Sequence, residues 1–217
     1  MTSALSPAAL LQAWELAAPR GALDRPLVLL WAAGQGGSEL ADLALAERDR
    51  ALLALRRAMF GDAMACVTDC PACGERLEMA VSATALADAL PVCADDEPMR
   101  PLTSRDVALA AASDEPERVL IERAGVAGEG FAAALERLQS LQEAAELRFS
   151  LTCAACGEAW SEVLDVAAYL WAEVEAAAHR LLGEVAEIAA ALGWSEREIL
   201  ALSPIRRRAY LQIARGG

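Results

Sequence analysis

The chain has 217 residues and a formal net charge of −13, set by 32 acidic against 19 basic side chains, and every basic one is arginine. Such a charge repels phosphate backbones and argues against general nucleic-acid binding, while a 56% hydrophobic content excludes a disordered chain. The longest uncharged apolar run, about Pro26 to Gly37, is too short for a membrane span, and Glu15 inside the first apolar stretch argues against a secretory leader, so cytoplasmic synthesis is expected.

Nearly a quarter of the residues are alanine and only 5% are aromatic. Alanine and leucine favour helix, so a mainly helical protein is predicted. Ser6-Pro7 reads as a cap with proline at the first helical position, and Leu10, Leu11 and Trp14 share a face. Asp24 is placed to cap a short helix from Arg25 to Ala33, which Gly34, Gly36 and Gly37 end. A longer helix is predicted over Leu45 to Phe60, stopped by Gly61. The glycine-rich segment Gly34-Gln35-Gly36-Gly37 lacks a P-loop lysine and reads as a connection.

The period then changes. Leu77, Met79 and Val81 alternate with Arg76, Glu78 and Ala80, as in a strand that follows a turn. Pro91 to Pro101 reads as a loop with the acidic cluster Asp95, Asp96 and Glu97. Thr103 and Asp106 form a capping-box pair, and helices are predicted over Ser104–Ala112, Pro116–Ala124 and Phe131–Ala145. Leu147, Phe149 and Leu151 alternate again, and Trp160 to Val166 reads as extended. The last fifty or so residues return to helix. Leu170, Val174, Ala178, Leu181, Val185, Ile188 and Leu192 form a near-heptad stripe, ended by Gly193. Ser195 and Glu198 form a second capping box, and Ser203-Pro204 opens a final helix that carries Arg206, Arg207 and Arg208.

The most informative feature is a repeat. Cys70-Pro71-Ala72-Cys73-Gly74-Glu75 is matched, 83 residues later, by Cys153-Ala154-Ala155-Cys156-Gly157-Glu158. Thiolates at i and i+3 of a tight turn can face one ion, and two such turns complete the tetrahedral shell that zinc prefers. Cys70, Cys73, Cys153 and Cys156 are therefore the candidate ligands of one structural zinc. A closed shell leaves no position for a water, so the ion would pin two β-hairpins together and not act as a Lewis acid. The alternatives are a dithiol redox pair and a degenerate knuckle that has lost its metal. Redox pairs usually open a helix, whereas the residues after each pair here look extended.

Cys66 and Cys93 read as free thiols. His179, the single histidine, reads as a boundary residue on the long helix. Acid pairs such as Asp95/Asp96 and Glu184/Glu187 read as solvated surface. No catalytic constellation is legible, so a non-enzymatic binding or assembly role is favoured, with no small-molecule substrate. The C-terminal arginines are placed to meet carboxylates of this chain or of a partner. Trp194, Leu202 and Tyr210 are candidate interface anchors; the competing reading is that they only pack the C-terminal helices together.

The predicted fold class is α+β, predominantly α-helical, with a small β zinc-ribbon element formed by the two CxxCG knuckles. Residues 1–62 form an N-terminal helical region. Segments 63–90 and 146–166 form the discontinuous ribbon, 91–145 an inserted helical region, and 167–217 a C-terminal helical region.

The stretch Tyr169-Leu170-Trp171-Ala172-Glu173-Val174, the run from Arg180 to Val185, the run from Gly193 to Pro204 and Arg206-Arg207-Arg208-Ala209-Tyr210-Leu211 together resemble a C-terminal signature. It is that of small baseplate-hub and baseplate-assembly proteins of contractile phage tails and phage-tail-like contractile injection systems, similar to the T-even-type hub proteins. Pro101 to Asp106, Glu117 to Arg123 and the paired CxxCG arrangement fit the same family. Cys153-Ala154 departs from the Cys-Pro knuckle that would be more typical. The resemblance implies a structural or chaperone-like component that contacts baseplate, hub or spike proteins of a tail-like particle. A zinc-ribbon adaptor of RNA or transcription machinery is the alternative from another class, and a CxxC dithiol oxidoreductase a third.

Overall fold

A computed structural model describes residues 4–92, 99–125 and 130–216. Cys93 and the cluster of Asp95, Asp96 and Glu97 lie outside the described residues. Helix α1 (Pro7–Ala17) starts at Ser6, whose hydroxyl accepts from the Ala9 amide at 3.2 Å. Helix α2 covers Asp24–Ala32. Asp24 is its first helical residue and not its cap, which is Leu23; there the carboxylate faces the positive end of the helix dipole. A 3-10 turn, Ser38–Asp42, leads to α3 (Leu45–Phe60).

Two antiparallel hairpins follow the predicted repeat. Strands β1 (Ala63–Asp69) and β2 (Arg76–Ser82) pair from Ala63↔Ser82 to Asp69↔Arg76. Strands β3 (Arg148–Thr152) and β4 (Ala159–Val163) pair from Arg148↔Val163 to Thr152↔Ala159. Each hairpin is its own two-stranded sheet. The extended stretch ends earlier than Val166, because the Asp165 side chain accepts from the Ala168 amide at 2.9 Å and starts a helix. Between the hairpins lie α4 (Ala83–Ala89), α5 (Ser104–Ala111), α6 (Pro116–Ala124) and α7 (Phe131–Ala145). Helix α4 falls inside the segment read as ribbon; the Ser82 hydroxyl caps it through the Ala85 amide at 3.1 Å.

Helix α8 (Val166–Leu192) is the spine, about 40 Å long at 1.5 Å per residue. Its stripe is buried from Leu170 to Ile188, with Leu192 half-buried at the end, and meets three partners in turn. Leu170, Trp171 and Val174 join the main core with Leu29 and Leu30 of α2, Leu52, Leu53 and Leu55 of α3, and Met64 of β1. Ala178 and Leu181 meet Leu10 and Leu11 of α1. Val185 and Ile188 meet Ile199 of α9 (Glu196–Leu200) and Leu211 of α10 (Pro204–Ala214). Gly193, with φ 71°, adopts the left-handed conformation that ends the spine.

The inserted helices bury a separate cluster of Met99, Leu102, Ile121, Ala124, Ala134 and Leu138. The Thr103 capping box on α5 is formed as predicted. Its acid, Asp106, is fully buried and also accepts from Arg100 at 2.7 and 2.9 Å and from Arg123 at 2.6 Å. Burial alone would raise this carboxyl, but the two guanidinium groups and Thr103 outweigh it and hold it well below the usual carboxylate range. One carboxylate thereby joins the segment before α5 to α6.

Candidate metal centre

Each hairpin ends in the same turn. Across the first, the Cys70 amide donates to the Glu75 carbonyl at 2.8 Å, and the Gly74 amide to the Cys70 carbonyl at 2.9 Å. Across the second, the Cys153 amide donates to Glu158 at 2.8 Å and the Gly157 amide to Cys153 at 2.9 Å. Gly74 and Gly157 have φ of 74° and 79°, a region that a side chain would strain. The sequence repeat is thus a repeat of backbone geometry, bond for bond.

The fold brings the two turns tip to tip. Cys70 Sγ lies 3.6 Å from Cys156 Sγ, and Cys73 Sγ 3.7 Å from Cys153 Sγ. All four sulfurs lie within 4.8 Å of one another, and all four are free thiols. A tetrahedral ion with metal–sulfur bonds of about 2.3 Å has sulfur–sulfur edges of about 3.8 Å. The contacts across the hairpins already match that edge. The first cysteine of each turn is buried and the second exposed, so the cluster has approximate two-fold symmetry.

Backbone amides and neighbouring sulfurs shift the thiols of Cys153 and Cys73 in opposite directions. Cys153 is lowered to about 7, chiefly because the Cys156 amide donates to its sulfur. Cys73 is raised to about 12: the Glu75 amide favours its thiolate, but hydrogen bonding with neighbouring sulfurs and burial outweigh it. A cation among the sulfurs would favour the deprotonated form at all four positions.

Three side chains outside the knuckles set the first hairpin in place. Buried Arg56 of α3 donates to the carbonyls of Gly61 and Ala63 at 2.7 and 2.8 Å, fixing the entry to β1. Asp62 accepts from the Ser82 hydroxyl at 2.6 Å and from the Thr84 hydroxyl and amide at 2.6 and 3.0 Å, closing the base of the hairpin. These bonds lower its carboxyl to about 2, the Ser82 hydroxyl contributing most. From α8, the Tyr169 hydroxyl donates to the Ala65 carbonyl at 2.9 Å. At the second hairpin, the Leu164 amide donates to the Leu147 carbonyl at 2.9 Å, just before Asp165 starts α8.

Arg56, Asp62 and Tyr169 were not among the sequence candidates. The available signal was Arg56 itself, a charge four residues after Leu52 on the apolar face of α3.

The other candidates have different surroundings. Cys66 lies outside the cluster, opposite Met79, in a cleft of about 320 Å³ between the hairpins that Phe149, Leu151 and Tyr169 also line. Burial pushes its thiol up. His179 is exposed and sets its ring edge-on to Trp14 at 5.3 Å. In the glycine-rich segment, the Gly37 amide donates to the Glu39 carboxylate at 2.9 Å, so the chain's own acid takes the place an anion would need.

Trp194 packs edge-on against Tyr210 at 4.7 Å, and both lie against the cluster formed by Ile188, Ile199 and Leu211. Leu202 is half-buried. Arg207 is buried and donates to Glu184 at 2.6 Å, while Arg206 and Arg208 are exposed. Arg215 makes a second carboxylate contact within the chain, to Glu187 at 2.6 and 2.9 Å.

No protein-family model matches the chain, and no curated protein and no solved structure shows significant similarity to it. Among the described residues, no helix is long and apolar enough to cross a membrane.

Proposed function

We propose that the protein is a non-enzymatic structural or assembly component, held rigid by one structural zinc on Cys70, Cys73, Cys153 and Cys156. The observation that carries this reading is the closed set of four sulfurs from two hairpins remote in sequence. Four thiolates satisfy a tetrahedral zinc and leave no open coordination position for a substrate or water. Each pair is followed by a strand, β2 or β4, and not by the helix start that lowers the pKa of redox dithiols. The ion would join the segment leading into α8 to the segment leading out of α3, and so fix the inserted helices against the spine.

The machine it serves is read from the resemblance of the C-terminal segments to baseplate-hub and baseplate-assembly proteins. In that reading the α8–α10 end docks on baseplate, hub or spike proteins of a contractile tail-like particle. Exposed Arg206 and Arg208 are available to a partner's carboxylates, and Arg207 serves the internal packing.

The test is purification of tail-like particles and their assembly intermediates from the source organism with the chain tagged, together with a deletion strain. Support is co-sedimentation with baseplate or hub proteins and loss of sheathed particles on deletion. Normal particles in the deletion strain, with the chain absent from every tail intermediate, would refute the assignment.

A further inference from the structure

We propose that the cysteine cluster is also a site of oxidative modification, at which a peroxide converts the four sulfurs into two disulfides between the hairpins, Cys70–Cys156 and Cys73–Cys153. The proposal rests on the metal-centre reading and specifies how that centre is released.

The geometry assigns the roles. Cys73 and Cys156 are exposed and meet an oxidant first; Cys70 and Cys153 are buried. Each exposed sulfur lies against the buried sulfur of the opposite hairpin, at 3.6 Å for Cys156 and Cys70 and 3.7 Å for Cys73 and Cys153. The chain thus holds two pairs, each an exposed reacting sulfur beside a sheltered resolving one.

In the first step, the exposed thiolate attacks a peroxide oxygen. A sulfur–oxygen bond forms, the oxygen–oxygen bond breaks, and the leaving hydroxide takes a proton and departs as water. In the second step, the buried thiolate attacks the sulfur of the resulting sulfenic acid. The sulfur–sulfur bond forms, the sulfur–oxygen bond breaks, and a second hydroxide leaves with a proton as water. Each pair of sulfurs loses two electrons to one peroxide. Two peroxides consume all four thiolates, and the divalent ion leaves unchanged in oxidation state. Because each new bond joins the two hairpins, the covalent links replace the ion as the clamp between segments far apart in sequence.

The connectivity is directly readable. Trypsin cuts after Arg57, Arg76, Arg148 and Arg180, placing Cys70 and Cys73 on fragment 58–76 and Cys153 and Cys156 on fragment 149–180. The experiment treats zinc-loaded Cys66→Ser protein with hydrogen peroxide, alkylates the remaining thiols and digests without reduction. Released zinc is followed with a chromophoric chelator. The expected result is one linked species of both fragments, lighter than their sum by the hydrogens lost, with zinc released in step.

Two separate fragments, each carrying an internal disulfide, would overturn the assignment, as would full alkylation with zinc retained. Two double variants sharpen the test. Cys70→Ser with Cys156→Ser keeps the Cys73–Cys153 pair and should still link the fragments. Cys70→Ser with Cys153→Ser keeps only the two exposed sulfurs and should link them at least several-fold more slowly; equal rates would also overturn the pairing. Zinc analysis before peroxide is added separates the two readings, because a metal-free starting protein refutes the metal centre while the fragments still report the pairing.

Discussion

Arg56 and Glu173 form a two-pronged ion pair between α3 and the spine helix, with donor–acceptor distances of 2.9 and 2.7 Å. The same guanidinium holds the entry to the first hairpin, so one side chain connects the core, the spine and the cysteine-bearing hairpin. Arg56 is 4% exposed and depends on Glu173 for its countercharge. Removing the acid leaves a buried charge with the Gly61 and Ala63 carbonyls and the Tyr169 ring as partners but no paired carboxylate, which is costly. Glu173→Ala should destabilise the protein by about 2–3 kcal/mol, below the range for a fully buried pair because Glu173 is partly exposed. Urea unfolding measures it, and a loss below about 0.5 kcal/mol would contradict a structural role for the pair.

The knuckle glycines have a purely conformational role. A Cβ at Gly74 or Gly157 would meet no atom within 4 Å, yet both residues have positive φ. Gly74→Ala and Gly157→Ala should each cost about 1–2 kcal/mol of backbone strain. Competition with a chelator should show zinc affinity weakened by about 5- to 30-fold. The two effects should match, because the turns share the same hydrogen bonds. A large effect at one turn and none at the other would contradict their equivalence.

Acid stability should depend on Asp62 and Asp106. Both carboxyls are lowered in the folded state, so the unfolded chain binds protons first as pH falls. Their contribution is complete above the unfolded value of about 4. It is withdrawn as pH drops toward the folded values, about 2 for Asp62 and lower for Asp106. Asp106→Asn should cost about 2–3 kcal/mol at neutral pH, where charge-assisted bonds are lost, and should flatten the decline in stability below about pH 4. Denaturant unfolding across that range checks the sign; stability that rises on acidification would refute it.

The three adjacent arginines of α10 should separate cleanly. Arg207 is buried on Glu184 and donates to the Leu202 carbonyl at 3.2 Å, so Arg207→Ala should cost about 1.5–3 kcal/mol and loosen α10 from α8. Arg206→Ala and Arg208→Ala, both exposed, should stay within about 0.5 kcal/mol of wild type. Thermal melts with hydrogen exchange over α10 distinguish them. Equal losses at all three positions would contradict the division between internal and outward roles.

Much of this architecture was legible because its determinants are local. Ser195 with Glu198 and Thr103 with Asp106 are capping boxes written within four residues, and both form. The knuckles repeat in sequence and therefore repeat in shape. Helix α4 was missed because the alternation of β2 runs directly into an alanine-rich stretch, and only Ser82 marks the change. The Arg56–Glu173 pair joins residues far apart in sequence, and local periodicity carries no information about which of the 32 acids an arginine will meet. The pairing of Cys70 with Cys156 likewise depends on how the hairpins approach, which no spacing encodes. The inward turn of Arg207 between two outward arginines follows from helix phase and needed α8 in place.

Zinc K-edge X-ray absorption, with metal quantification on untagged protein, tests the metal centre most directly. The spectrum should show one zinc per chain with a sulfur-only shell at about 2.3 Å. Nitrogen or oxygen in that shell, or a metal-free chain whose melting temperature responds to neither zinc nor chelator, would contradict it.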